Sequence, residues 1–300
     1  MSYEKIHPNW DRDATHILEG YSLEMTAKER PQLAEAAHLM VPETPIAVPF
    51  LPGELMDDRI AAAVDIRNLG FEPMAHLSAR RIQSRDEFAT MIRRLATEAG
   101  AKRAFIVAGD PPSPEGPYED TMQMLREGIF EDNGITAVGI GGHPEGHPAV
   151  DTDTLWRFMD DKVEEISKRG MMPLIVTQFS FDPDACLEWL AQVRARGIDA
   201  PVRLGIPGPA GIKRLLRYAK FCGVGASASV LKKYGISLTR LMGTAGPDKL
   251  VDALRDGLSP EHGRVRLHFY PFGGLEPTME WINTYSAEHG APQPVAETTA

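Results

Sequence analysis

Eight short apolar runs recur along the 300 residues, each followed by a stretch of helical periodicity. They are Tyr21–Met25, Ile46–Phe50, Pro73–Leu77, Arg103–Val107, Ala137–Gly141, Leu174–Phe179, Val202–Ile206 and Val265–Tyr270. Six are nearly continuous in Val, Ile, Leu, Phe, Met and Ala, as strands covered on both faces of a parallel sheet must be. The intervening stretches are amphipathic. In Asp86–Ala99, for instance, Phe88, Met91, Ile92, Leu95 and Ala96 recur at helical spacing. Eight strand–helix units in a chain of this length predict an α/β fold, a single (β/α)8 TIM barrel, rather than a doubly wound sheet. The barrel is expected over residues 1–289, with an extra helix at Ser227–Arg240 between units seven and eight. Residues 290–300, rich in Ala, Pro and Thr, read as a loose tail.

Composition narrows the class. With 43% hydrophobic residues the chain can bury a large core. A net charge of −10 argues against nucleic acid or an anionic membrane as partner. Cys186 and Cys222 are the only cysteines, too few for a disulfide framework or a zinc cluster. The N-terminus lacks the apolar core of a signal peptide, and no run approaches membrane-spanning length, so a cytoplasmic location is expected. A homo-oligomer is compatible with the sequence.

In a TIM barrel the active site is built at the carboxyl ends of the strands. Those ends carry Glu24, Pro49, His76, Asp110, His143 with Glu145 and His147, Gln178, Pro207 and Tyr270. A metal site is not expected, because His143, Glu145 and His147 lie two apart in a proline-flanked loop and lack the HExxH arrangement. There is no GxSxG elbow, no Walker loop and no GxGxxG following a strand. Cys186 falls in a predicted helix, where a small core residue is expected.

Taken in order, SLE at Ser22–Glu24, HLS at His76–Ser78, GDPP at Gly109–Pro112, HPEGHP at His143–Pro148, DKV at Asp161–Val163, TQFSFD at Thr177–Asp182, GIP at Gly205–Pro207 and HFY at His268–Tyr270 resemble the methylenetetrahydrofolate reductases. Each motif is weak alone; their order, spacing and placement at strand ends make the set specific. The resemblance implies an oxidoreductase acting on a CH–NH group. It would reduce the methylene bridging two nitrogens of 5,10-methylenetetrahydrofolate to the methyl of 5-methyltetrahydrofolate, at the expense of NADH or NADPH. An acid must first protonate the departing nitrogen, so that the ring opens to an iminium able to accept hydride. By resemblance that acid is Glu24, whose neighbours Leu23 and Met25 favour a raised pKa by desolvation. Asp110 would lie beside the reacting rings. Gln178, able to donate and accept at once, suits the edge of a pterin, with Phe179 as wall. His76, Ala108, His143, His147 and Lys162 match positions that line the cofactor pocket of the family. Each residue also has a plain structural use: Glu24 in an ion pair, Asp110 as a turn aspartate before proline, Gln178 as a buried amide, a lone His as a hydrogen-bonded core group.

The departures from the family matter equally. Typical members hold FAD with a threonine and tyrosine after the second strand and an arginine before the GD pair. They also carry a tyrosine before the PE pair and polar or basic residues on the helix leading to the DKV lysine. Here these places hold Pro49 and Phe50, Ala108, His143, and Leu155, Phe158 and Asp161; Lys162 alone remains of that helix's basic contacts. Each lost charge-assisted hydrogen bond removes about 1.5–3 kcal/mol. The expectation is a flavin-independent variant in which the nicotinamide passes hydride directly to the folate. Ile212 stands where relatives have an aromatic stacking on substrate. The rival readings are a conventional FAD-dependent reductase and a non-redox folate-binding barrel serving a methyltransferase.

Overall fold

The computed structural model describes residues 16–290 except 52, 226 and 236–242. Eight parallel strands close into a barrel: β1 (Ser22–Glu24), β2 (Pro45–Val48), β3 (Glu72–Ser78), β4 (Arg103–Val107), β5 (Ala137–Gly142), β6 (Met172–Phe179), β7 (Val202–Pro207) and β8 (Val265–Tyr270). Each strand pairs with its neighbours in sequence, and β1 pairs with β8 through Ser22–His268 and Leu23–Phe269. The (β/α)8 barrel expected from the apolar rhythm is therefore the fold. The second strand stops at Val48, short of the expected Phe50, because Pro49 has no N–H to offer the ladder. Of the expected helix at Ser227–Arg240, Ala228–Tyr234 is helical, capped by the Ser227 hydroxyl; residues 236–240 lie outside the described set, as do 1–15 and 291–300.

Helices start where side-chain oxygens can take up their free N–H groups. Asp151 caps Thr152–Lys168 and Asp182 caps Pro183–Ala195, each accepting from a backbone N–H of the first turn. Cys186 is buried in the second of these helices. The apolar faces of the helices pack on the outward side chains of the strands, where Leu23, Ile46 and Phe269 are fully buried. A separate small cluster of Ala47, Met74, Phe105, Leu174 and Val176, with Val107 against it, fills the inside of the barrel. Gly139 makes room for it: a Cβ there would come within 2.6 Å of the Phe105 ring. Phe105 in turn lies under His76, ring centroids 4.5 Å apart, and so forms the floor of the mouth.

One irregularity aims the residues of β6. Val176 pairs with Arg203 but Phe179 pairs with Gly205, so three steps on β6 match two on β7. This bulge breaks the alternation of faces at Gln178 and Phe179. The polar groups it displaces are satisfied locally: Gly205 N–H donates to Thr177 Oγ1 at 2.8 Å, and the Tyr270 hydroxyl donates to the Thr177 carbonyl at 3.0 Å. Gly205 is required, since a Cβ would lie 2.7 Å from both Phe179 N and the Thr177 carbonyl oxygen. Gly205→Ala is expected to cost about 1–3 kcal/mol of stability by overpacking. Denaturant unfolding measures the loss, and an unchanged midpoint would mean that the bulge relaxes to make room.

Candidate functional site

The mouth is built from alternate residues of strands that meet at the barrel's carboxyl end. On β1, Ser22 and Glu24 share one face, and on β8 so do His268 and Tyr270. The Glu24 carboxylate lies 3.8 Å from His76 Nε2 and 3.9 Å from His268 Nε2. Its side chain is 21% exposed, so it is reachable from the mouth although enclosed on its other sides. Burial pushes the Glu24 carboxyl above the ordinary 4.5; His76 opposes that rise and Glu29 adds to it. Burial also pushes the two imidazoles down, His76 to about 4 and His268 to about 3, so both are neutral near pH 7. His268 Nδ1 is hydrogen-bonded to the Ser22 hydroxyl at 2.8 Å, which fixes the ring, while His268 Nε2 has no hydrogen-bond partner. The His76 carbonyl accepts from the buried Arg59 guanidinium, anchoring the end of β3.

The remaining predicted residues spread around this centre. Asp110 is exposed on the bend after β4. Gly109 before it takes φ +96°, and a Cβ there would collide with the Ser78 hydroxyl, which explains the glycine of GDPP and the serine of HLS together. The Cys222 thiol feels both Glu24 and Asp110, which places the two carboxylates at one mouth; burial and these charges raise that thiol to about 11. Gln178 is half-buried at the bulge, its oxygen accepting from Phe179 N at 3.1 Å, so that its NH2 group supplies the remaining donors. Phe179 is buried, edge-on to Tyr270 and to Phe272, and Phe272 stacks on Tyr218 at 4.2 Å. Ile212, by contrast, is buried at the start of its helix within the main core. The aromatic rings on this wall come from Tyr218, Phe272 and Tyr270 instead.

On the β5 side, His143 and His147 face each other with ring centroids 5.1 Å apart. Burial brings His143 down to about 4, helped by His147 and Lys162, while His147 is exposed and accepts from Ala149 N. Lys162 is half-buried with its ammonium 5.6 Å from the Phe158 ring, and desolvation lowers its pKa. Ala108 is exposed, its carbonyl accepting from Arg80 N. Phe50 packs under the guanidiniums of Arg59 and Arg81, 4.8 and 5.4 Å from the ring. Glu145 is a clasp: its carboxylate accepts from the Ser180 hydroxyl at 2.6 Å and from Gly225 N at 2.9 Å, tying three loops together. Among the described residues no group of three or more His, Cys, Asp and Glu is placed to hold a metal ion. Beside the mouth, a cleft of about 320 Å³ opens between the Thr152–Lys168 and Pro183–Ala195 helices, lined by Leu155 and by Trp156 and Trp189, whose rings stack at 5.9 Å.

Two site residues, Ser22 and His268, lie within the SLE and HFY motifs without standing out there as chemistry-bearing positions. The signal was present: in β8, His268 and Tyr270 stand two apart and must share a face. Cys222 carried no such signal, because only tertiary folding brings the end of its helix to the mouth.

The sequence profile described as methylenetetrahydrofolate reductase matches residues 23–271, from within β1 to just past the end of β8. The chain belongs to the methylenetetrahydrofolate reductase family. Curated relatives include methylenetetrahydrofolate reductase 1 of Schizosaccharomyces pombe, 24% identical over 235 residues, covering 75% of this chain and 38% of that protein. Methylenetetrahydrofolate reductase 2 of Saccharomyces cerevisiae is 27% identical over 177 residues, covering 56% of this chain and 27% of that protein. Methylenetetrahydrofolate reductase (NADH) 1 of Arabidopsis thaliana is 28% identical over 173 residues, covering 50% and 27% respectively. The matches thus span little more than a third of these relatives at most. Among solved structures, dihydropteroate synthase of Thermus thermophilus superposes with a TM-score of 0.50 at 13% identity, covering 92% of this chain and 97% of that one; it shares the barrel fold. No helix among the described residues is long and apolar enough to cross a membrane.

The buried imidazoles carry a pH signature. Folded His268 takes up a proton only near pH 3, whereas the unfolded residue does so at about 6.5. Between those values protonation favours the unfolded chain, so stability falls as pH drops through that window. His268→Asn is expected to flatten this acid limb while lowering stability at neutral pH. Unfolding midpoints measured from pH 7 to pH 4 check it, and an unchanged limb would assign the acid sensitivity elsewhere.

Proposed function

We propose that this chain reduces 5,10-methylenetetrahydrofolate to 5-methyltetrahydrofolate with a nicotinamide nucleotide as direct hydride donor. The observation that carries the reading is the Glu24 carboxyl, desolvated, flanked by two neutral imidazoles and still open to the mouth. A carboxyl in that setting holds its proton to higher pH than an exposed one, as a general acid requires. Glu24 gives this proton to the departing ring nitrogen. The C–N bond breaks, and the bridging carbon, doubly bonded to the other nitrogen, becomes an iminium. Hydride from the reduced nicotinamide then adds to that carbon, yielding the methyl group and the oxidised nucleotide. Neutral His76 and His268 neither oppose the cation by charge nor compete for the proton, while the NH2 of Gln178 and the carboxylate of Asp110 orient the pterin. A non-redox folate carrier would have no use for a buried acid of this kind.

The donor set at the rim is poorly matched to a resident flavin dinucleotide. On the helix beside the diphosphate position, Lys162 is partly desolvated and the neighbouring Asp161 is exposed; His143 is neutral, and Ala108 contributes only backbone. Arg80 is committed to the carbonyls of Pro111 and Glu119, and Arg81 to Glu115. Such a set suits a nucleotide that binds and leaves, at micromolar rather than resident affinity. NADH is named for the Arabidopsis relative and is the first donor to test here.

The decisive experiment is the absorbance spectrum of the purified protein with an assay of folate-dependent NADH oxidation, with and without added FAD. The expected result is a colourless protein that oxidises NADH only when the folate is present. A yellow protein that requires FAD would replace the direct-transfer step, and inactivity in both conditions would favour the carrier. Glu24→Gln is expected to lower turnover by about 10²–10⁴-fold while folate affinity stays within a few fold. In the native enzyme turnover should fall as pH rises past the raised Glu24 pKa, because the acid form is then lost.

A further inference from the structure

The pairing that closes the barrel sets Ser22 of β1 directly beside His268 of β8, and each has a site residue two positions on, Glu24 and Tyr270, on the same face. Ser22 is fully buried and His268 is 1% exposed. The His268 ring is fixed twice, by the 2.8 Å hydrogen bond between Nδ1 and the Ser22 hydroxyl and by the perpendicular Tyr270 ring, whose centroid lies 5.0 Å away. Tyr270 is itself tied through its hydroxyl to the Thr177 carbonyl at the β6 bulge. Held in this way, His268 turns Nε2 toward Glu24, and among the described residues that buried nitrogen has no hydrogen-bond partner. A buried polar atom left unmatched on a rigidly held ring calls for a partner that it meets during function. Glu24 is the acceptor in front of it. For His76 and His268 alike the nearest carboxyl oxygen is Oε2, at 3.8 and 3.9 Å, so Oε1 is the oxygen left for the substrate.

We propose that Ser22 and His268 are a pair of positioning residues for Glu24: Ser22 donates to Nδ1, the neutral ring therefore carries its proton on Nε2, and that N–H is the donor held for Oε2. The inference rests on Glu24 being the general acid, as proposed above. A hydroxyl can donate or accept, and the two choices have opposite consequences. With the ring proton on Nε2, the acid proton of Glu24 is kept off Oε2 and sits on Oε1, toward the mouth. When that proton leaves with the folate nitrogen, the new carboxylate accepts at Oε2 a hydrogen bond that the acid form needed less. With the ring proton on Nδ1, Nε2 would be an acceptor and would draw the acid proton to Oε2, away from substrate. A cationic ring would hold Glu24 ionised; burial and the Arg203 guanidinium on β7 keep His268 neutral. The 3.9 Å separation is longer than a hydrogen bond, and contacts of this kind commonly tighten only in the substrate complex. The proton on Nε2 is never given up: Glu24 regains its own from solvent through the mouth, where its side chain is 21% exposed. The other titratable groups that face Glu24 are His76, Glu29, Tyr270 and Cys222. His76 is neutral above about 4, and burial lifts the Tyr270 hydroxyl well above its ordinary range and the Cys222 thiol to about 11, so none of the three changes charge near neutral pH. Glu29 is fixed by the Thr26 N–H at 2.7 Å and the Thr26 hydroxyl at 2.9 Å.

The test reads the ring directly. Nitrogen-15 NMR of the histidine-labelled protein, with His268 assigned by its loss in His268→Gln, is expected to show a protonated Nε2 and a bare Nδ1 at neutral pH. A protonated Nδ1, or an imidazolium, overturns the proposal. Two substitutions then separate the donor from the bulk of the ring, because the amide nitrogen of Gln reaches the place of Nε2 and that of Asn only the place of Nδ1. His268→Asn is expected to lower kcat about 10–100-fold with little change in KM for the folate, and to move the basic limb of the kcat profile up by about one pH unit, since the carboxylate loses a donor. His268→Gln should recover most of kcat and the native profile. Ser22→Ala, which leaves the ring intact, should populate the other tautomer and show a smaller loss of the same kind; it replaces the Asn variant if that one unfolds. Equal losses with Asn and Gln at an unchanged pH profile would make the ring a packing element only and overturn the proposal. If the native protein turns over no folate, the reductase reading fails on its own, and carbon-13 titration of the Glu24 carboxyl decides the role of the pair. That pKa is then expected to rise in His268→Asn and not in His268→Gln, and the same value in all three proteins would sink the idea.

Discussion

The site depends on keeping a carboxyl group protonatable inside the top of a closed barrel. A carboxylate taken out of water is costly unless paired, and among the described residues Glu24 meets no cation within hydrogen-bonding distance, only the edges of two imidazoles. Those imidazoles are themselves desolvated and neutral. The surroundings thus favour the uncharged acid without locking it in an ion pair. The barrel makes this arrangement affordable: its walls are saturated by interstrand hydrogen bonds, and the Phe105 floor excludes water from below.

Around that centre the loops are held by polar contacts that would be hard to guess one at a time. The β6 bulge turns Gln178 and Phe179 out of strict alternation, and Gly205, Thr177 and Tyr270 stabilise it by absorbing the groups it frees. Glu145 joins the loop after β5 to Ser180 after β6 and to Gly225 beyond the Ile212–Cys222 helix. A carboxylate that resembles a metal ligand in sequence is, in the fold, the tie between three loop segments. These ties serve the mouth more than the core, since the core closes without them.

Charge is divided in the same way. The negative surplus lies outside Ala200–Pro247, while that stretch brings positive charge to one lip and the β5 side offers Lys162 with neutral imidazoles.

Much of the architecture was legible in the chain. Eight apolar runs, unbroken because both faces are covered, specify eight parallel strands, and Pro49 marks where the second must end. Strand ends located the mouth, and motif order identified the family. What the sequence could not contain was distance. That His268 reaches within 3.9 Å of Glu24, that Cys222 returns to the mouth, and that Ile212 turns into the core all follow from how β1 closes on β8 and how the Ile212–Cys222 helix packs beside them. The pattern of apolar residues is local, and the chain carries it in its own order. The proton affinity of a buried acid depends on groups hundreds of residues away, so tertiary structure alone decides it.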